Sequence, residues 1–592
     1  MKLICLLSIL LFSQITFSAE MVFRYRFERP VVVQSGDDQL IKIPGLALSQ
    51  RPGMPMLPMD SIKMLLPANA RIETVKVQRA HPFIVSDAAK LKLAPKYPFT
   101  DVKEGRFEDI ILEKTWPDVI GSKKMQKFHG HRILTANIFP VYVTPQKEVF
   151  STREIKITIN YSEDKGTTHK ARFFDEILEF VDNPNPEIFS TYDYSNEKNM
   201  AGYDYLIITS LELISYKGEN SLHVFKDYLE NEKGLKVKIV NVTDATGSGS
   251  GVDNAQKLRN FIRREYEQSG IRYVLIAGDS DGSSPTIPVR KLYSEIRGYN
   301  GSWRDIKEHI VADFYYGCLD GTFNGDNDNK WGESNDGEDG GDVDFLCEVT
   351  VGRWPVDKTT ELKSVVAKTL KTYRTPSREK SVINLGEMLF RELDLWGGDY
   401  LNQLFGEVDD HGFVTRGFDE SWRKYTLYDK VKRWSGTEAK TLIKKQNPLV
   451  VNHLGHSSSS MNMRVNSFLY SGFENTLPYF YYSQGCLAAA FTKNDSIVEK
   501  MVYGKGGPFA AVANSAYGLG PEDPEYGQVQ YPGTSQILHR YFTNRLMNDN
   551  YLEFGVAHQK SKEDILRYID YQEARWVVWT ANFFGDPALA LQ

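Results

Sequence analysis

Cysteine is scarce, with four in 592 residues. That excludes a disulfide-stapled scaffold and leaves the fold to hydrophobic cores. An excess of one charge sign is also missing: 71 Lys and Arg face 77 Asp and Glu, for a formal charge of −6. Without a basic tract or basic residues interleaved with aromatics, nothing points to nucleic acid. Long apolar runs are absent beyond the N-terminus, so no stable membrane insertion is expected. No short-period repeat is present. What remains is an ordinary globular composition, 25% charged and 41% hydrophobic, on a chain too long for one core.

The N-terminus has the grammar of a signal peptide over 1–19. Met1-Lys2 gives a positive start, Leu3 to Phe12 is almost wholly apolar, and Ser18 and Ala19 offer a cleavage point. A retained anchor is the alternative. Export is the expectation, with periplasmic or secreted residence. Cleavage leaves Cys318, Cys347 and Cys486, an odd set in which at least one thiol is unpaired or pairs between chains. Cys318 and Cys347 flank one acidic loop and could bridge it, leaving Cys486 free. A buried structural cysteine is the plain alternative.

Residues 20–165 carry short alternating runs broken by proline and glycine, which predicts a β-rich domain. A polar linker is expected over 166–200. From 201 the pattern turns to strands alternating with helices, the latter over 221–233, 254–269 and 399–408. That alternation predicts an α/β region with a parallel sheet, divided into subdomains over 201–378 and 379–592.

Two apolar runs of this region end in chemistry. Pro448 to His456 and Leu477 to Cys486 each read as a buried strand that breaks at a glycine just before a reactive side chain. Ligands of open parallel sheets bind beyond the carboxyl ends of the strands. An imidazole there favours the thiolate and later protonates a leaving amine, so His456 is the candidate base and Cys486 the candidate nucleophile. His453 lies within its strand and reads as a satisfied core residue.

Five ordered blocks make the chain similar to a known family. They are Ala312-Asp-Phe-Tyr-Tyr-Gly-Cys-Leu-Asp320, Val349-Thr-Val-Gly-Arg-Trp-Pro355, Val451-Asn-His-Leu-Gly-His-Ser-Ser458, Ser483-Gln-Gly-Cys-Leu-Ala-Ala-Ala-Phe491 and Asn582-Phe-Phe-Gly-Asp-Pro-Ala-Leu589. Together they resemble the gingipain-type cysteine peptidases of the caspase-like group. The resemblance implies a caspase-like fold, peptide or protein substrates, and residues 20–165 acting as a self-inhibiting propeptide; a permanent binding domain is the alternative. It implies that Glu387 orients His456, with a surface or capping glutamate as the plain reading. It implies an oxyanion hole from the N–H groups of Ser457 and Cys486, where Ser457 departs from the commoner glycine and would be strained at positive φ. It places Asp399 where a pocket carboxylate would bind Arg or Lys side chains, although Asp399 could instead be a helix N-cap. Lys165, Lys170 and Arg172 become candidate self-processing points. Asp326, Asp328 and Glu333 lie in a dense acidic loop and suggest a structural calcium site, against a merely solvated loop. Gingipains continue beyond the Gly-Asp-Pro block into an immunoglobulin-like domain and a secretion tail; here only Ala588 to Gln592 follow it, which makes surface attachment by that route unexpected. The reading is therefore an exported cysteine endopeptidase made as a zymogen. Its rivals are a calcium-stabilised binding protein on a degenerate peptidase scaffold and a transpeptidase.

Overall fold

In a computed structural model, the described residues are 18–590 without 52, 88–89, 95–109, 164–169, 196–201, 283–284, 297–305, 338–340, 376–377, 392–393, 411–412, 521–532 and 549–552. Most of the signal segment and Lys165 thus lie outside the described residues.

Ten strands form one sheet. In chain order they are β1 (Tyr205–Thr209), β2 (Val237–Asn241), β3 (Tyr273–Ala277), β4 (Thr350–Trp354), β5 (Ser381–Gly386), β6 (Arg423–Tyr428), β7 (Val450–Leu454), β8 (Tyr479–Ser483), β9 (Pro508–Asn514) and β10 (Ala581–Phe584). Their spatial order is β2-β1-β3-β4-β10-β9-β8-β7-β5-β6. Neighbours run parallel except β9 and β10. The sheet is therefore two parallel halves of opposite direction joined at one antiparallel seam. β1, β7, β8 and β9 are buried along their whole length, because helices cover both faces. Local signals set the covering helices. Leu222–Lys233 starts at an N-cap, Ser221, and stops at left-handed Gly234; Asn254–Ser269 does the same with Asp253 and Gly270.

The helix expected over 399–408 is shorter. Gly397–Leu401 passes into a 3-10 turn, Asn402–Leu404, and a strand follows at Glu407–Asp410. Gly406, at φ 66, turns the chain between them.

The N-terminal region is β-rich, as expected. Ser18–Arg26, Glu154–Glu163 and Ala70–Ala80 form one antiparallel sheet. Ala47–Leu48, Pro58–Leu65, His131–Ile138 and Ile120–Phe128 form a second. Strict alternation turns Ile155, Ile157 and Ile159 into the core between them.

The stretch expected to be a linker is ordered over much of its length. Helices Phe174–Phe180 and Pro186–Phe189 bury Ile177, Val181, Ile188 and Phe189 together with Leu65 and Phe128 of the N-terminal region and Leu346 of the α/β region. Arg172 is buried and donates to the carbonyls of Tyr266 and Glu267. Ala171 and Arg172 donate backbone N–H groups to Asp193 and His129, each at 3.0 Å. The backbone around Lys170 and Arg172, two of the expected processing points, is thus hydrogen-bonded in this structure. No helix among the described residues is long and apolar enough to cross a membrane.

Candidate active site

β7 and β8 are parallel neighbours with His453 opposite Ser483. His456 and Cys486 each lie three residues beyond that pair. Adjacent strands are about 4.8 Å apart, so the two loops leave the sheet side by side. Neither glycine before the reactive residues has positive φ. Both are needed for close approach instead. A Cβ on Gly485 would stand 2.0 Å from Ser457 Oγ, and one on Gly455 would stand 2.4 Å from Glu387 Cγ.

Cys486 is free and partly buried, while Cys318 and Cys347 form a disulfide. The Cys486 thiol donates to the Gly518 carbonyl at 3.8 Å, and burial pushes its pKa up. Its turn is held from three sides. Asn514 Nδ2 donates to the carbonyls of Gln484 at 2.9 Å and Gly485 at 3.3 Å. Leu487, with φ 57, donates its N–H to Ala516 at 2.7 Å.

His456 is exposed, and its Nε2 lies 3.0 Å from the Leu389 carbonyl. A carbonyl only accepts, so Nε2 carries the proton and Nδ1 of the neutral ring is left as the base. The Phe390 ring stands edge-on at 6.5 Å. Leu389 and Phe390 belong to a hairpin of Met388–Phe390 with Leu395–Trp396.

The Glu387 carboxylate is bonded to His453 and not to His456, the partner the resemblance implies. It turns inward beneath Gly455 and meets His453 Nε2 at 3.1 Å, with its other oxygen 3.4 Å from Arg464 Nε. His456 lies on the outside, against the Leu389 carbonyl. His453 is fully buried and its Nδ1 lies 3.0 Å from Ser483 Oγ.

Ser457 is not at positive φ, so the expected strain is absent. The N–H groups of Ser457 and Cys486 make no backbone hydrogen bond among the described residues, which leaves both able to donate to an oxyanion.

Asp399 lies in the first turn of Gly397–Leu401, whose N-cap is Trp396, so it is not the cap. Gly398 packs on Gly386, the last residue of β5: a Cβ on Gly386 would be 2.3 Å from Gly398 N. Asp399 thus stands at the same sheet edge as Cys486 and His456. Its carboxylate pairs with Lys430 Nζ at 2.7 Å.

In the acidic loop, several carboxylates serve the backbone. Asp336 accepts from the N–H groups of Gly325, Gly332 and Glu333, and Asp342 from those of Thr322 and Asn324. Asp326, Asp328 and Glu333 converge, each offering an oxygen within 4.8 Å of the others. Lys330 already stands 3.3 Å from Glu333. Asp320, Asp344 and Glu348 form a second group by the same measure. Here Asp344 and Glu348 are buried, and each keeps one oxygen without a hydrogen-bond partner. Burial pushes both carboxyls well up. Buried carboxylates so close together, with oxygens left unpartnered, suit a hard divalent cation.

Sequence reasoning missed Leu389, because a backbone acceptor leaves no mark in side-chain type. It also missed Ser483, Asn514, Arg464 and Glu348. Ser483 and Asn514 were visible as polar residues closing apolar strands.

The profile of peptidase family C25 matches residues 198–592. No curated protein matches the chain. Among solved structures, one described as a protease shares 13% identity over 66% of this chain and 78% of its own, with a TM-score of 0.45. A complex of the pro- and mature domains of RgpB from Porphyromonas gingivalis shares 16% over 27% of this chain and 89% of its own, with a TM-score of 0.21. A structure addressing the zymogenic latency of gingipain K from Porphyromonas gingivalis shares 16% over 26% and 97%, with a TM-score of 0.19. The family match spans the whole ten-stranded sheet and the edge where His456 and Cys486 emerge: the chain belongs to peptidase family C25, the gingipain family.

Proposed function

We propose that the protein is an exported cysteine endopeptidase made as a zymogen. The observation that carries this is the pairing of loops at the ends of β7 and β8, with a free thiol on one and an imidazole of defined tautomer on the other. The Cys486 proton passes to His456 Nδ1, and the thiolate attacks the peptide carbonyl. The N–H groups of Ser457 and Cys486 receive the oxyanion. His456 returns the proton to the leaving amine as the C–N bond breaks. Water then releases the acid from the thioester.

Two features support latency. The thiol donates to Gly518 rather than to His456. The β-rich region is docked on the α/β region, with Asn137 donating to the Arg567 carbonyl at 2.8 Å and Gln126 Oε1 accepting from the Phe345 N–H at 3.2 Å. The Cys318–Cys347 disulfide and the apolar N-terminus support export to an oxidising compartment, periplasmic or extracellular. Calcium held by Asp320, Asp344 and Glu348 would brace the loop structurally, with Asp326, Asp328 and Glu333 as a second, more exposed place.

The test is a peptide-library digest by the matured protein and by its Cys486→Ala variant. Cleavage only by the parent supports the reading; equal cleavage by both contradicts it.

Substrate choice follows from Asp399. Its carboxylate gives the pocket a preference for Arg or Lys, and Lys430 competes for it. Asp399→Asn is expected to lower kcat/KM for a P1-Arg peptide about 100-fold while a P1-Ala peptide changes little. Lys430→Ala, by freeing the carboxylate, raises it. An unchanged Arg-to-Ala ratio in both variants would remove Asp399 from the pocket.

A further inference from the structure

Behind the reactive loops lies a connected chain of mostly buried polar groups. Ser483 Oγ accepts from Gly485 N–H at 3.2 Å and from Asn462 Nδ2 at 2.9 Å. A serine hydroxyl has two lone pairs and one proton, so both acceptor places are filled. Its proton is then available to His453 Nδ1, 3.0 Å away, with the Tyr481 hydroxyl as a second neighbour. That makes Nδ1 an acceptor and leaves the ring proton on Nε2, which donates to Glu387 Oε1 at 3.1 Å. The other Glu387 oxygen faces Arg464, whose Nη1 donates to Asp429 Oδ1 at 2.9 Å. Asn462 continues the chain sideways, donating to Ser457 Oγ at 2.8 Å and accepting from the Tyr481 hydroxyl. This pattern of protons satisfies the whole set. His453, Asn462 and Ser483 are fully buried, so water cannot replace a lost partner cheaply.

The chain ends on the residue before the nucleophile. Gly485 gives its N–H to Ser483 and its carbonyl to Asn514. The peptide units on both sides of Gly485 are thereby fixed, and the second of them carries the Cys486 N–H. Ser457, the other oxyanion donor, is tied to the same Asn462.

We propose that His453 and Ser483 are positioning residues for catalysis: the Glu387–His453–Ser483 relay holds the Gly485–Cys486 peptide so that the thiol and the oxyanion donors face one point. This rests on the reading of Cys486 as nucleophile. Removal of the relay loosens the aim of the Cys486 turn without touching the substrate pocket, so kcat falls and KM holds.

The experiment uses the full chain after its own maturation and a fluorogenic peptide taken from the library digest. Ser483→Ala removes one oxygen, and His453→Phe fills the space without a partner; each is expected to lower kcat about 30- to 100-fold with KM within about twofold, as misplacement of reacting groups does. Ser483→Thr keeps the hydroxyl, and His453→Gln keeps an acceptor and a donor; both are expected to recover most of kcat. Should His453→Phe fail to fold, the Ser483 pair carries the test. Values of kcat within twofold of the parent for Ser483→Ala would overturn the relay, as would a loss that Ser483→Thr does not repair. Full activity in Cys486→Ala reads differently, since it removes the nucleophile assignment itself.

Discussion

His456→Ala is expected to lower kcat/KM about 10⁴-fold and Cys486→Ala by at least as much, because base and nucleophile act as one unit. His456 is exposed and makes one side-chain hydrogen bond, to the Leu389 carbonyl, so its removal leaves the thermal unfolding midpoint unchanged. Glu387→Ala should behave otherwise. It leaves buried His453 without its carboxylate and takes one of two from partly buried Arg464, which keeps Asp429, a defect that costs about 2–4 kcal/mol of stability. Paired activity and thermal-unfolding measurements on the two variants check this. If Glu387→Ala instead kept the parent's stability and matched the activity loss of His456→Ala, the carboxylate would belong to His456 after all.

Chelation is expected to destabilise the protein, and more so as pH rises. Asp344 and Glu348 have folded pKa values raised by burial. Without a cation the folded state then binds more protons than the unfolded state through and above the ordinary carboxylate range, about pH 4. Stability therefore falls with rising pH once the unfolded carboxyls ionise. A bound divalent ion supplies the missing charge and cancels the slope. Free calcium at 100 times its Kd should add about 3 kcal/mol. Unfolding scans at pH 5 and pH 8, with EDTA and with calcium, read this directly. The gap between the two should be wide at pH 8 and narrow at pH 5. Asp344→Asn combined with Glu348→Gln should remove most of the calcium response, leaving only that of the exposed group, and make the chelated protein less sensitive to pH. Identical scans with and without calcium at pH 8 would leave the buried group without a cation.

Much of this was legible in the sequence because burial on both faces writes strands as uninterrupted apolar runs. Tyr479 to Tyr482 is such a run, Val450 to Leu454 is one broken by the buried Asn452 and His453, and the reactive residues follow within four positions. The antiparallel seam between β9 and β10 was not legible, since Ala581–Phe584 looks like any short strand and pairing is a long-range choice. Glu387 could be placed at the end of β5, but the resemblance paired it with His456 where the structure pairs it with His453. Two histidines three residues apart compete for it, and the outcome depends on which side chain turns under Gly455. The stretch at 166–200 looked like a linker because its polar and proline residues mask a sparse set of buried anchors, Ile177, Val181, Ile188 and Phe189. The second carboxylate group was hidden by distance, with Asp320 and Glu348 on either side of a loop closed by the Cys318–Cys347 disulfide.

The central claim is that Cys486 is a nucleophile served by His456. Reaction of the matured protein with a peptidyl acyloxymethyl ketone, followed by peptide mass mapping, tests it most directly. The account predicts one adduct, on Cys486, formed in step with loss of activity and strongly slowed in His456→Ala. An inactivated enzyme with Cys486 unmodified, or labelling at the parent's rate in His456→Ala, would contradict it.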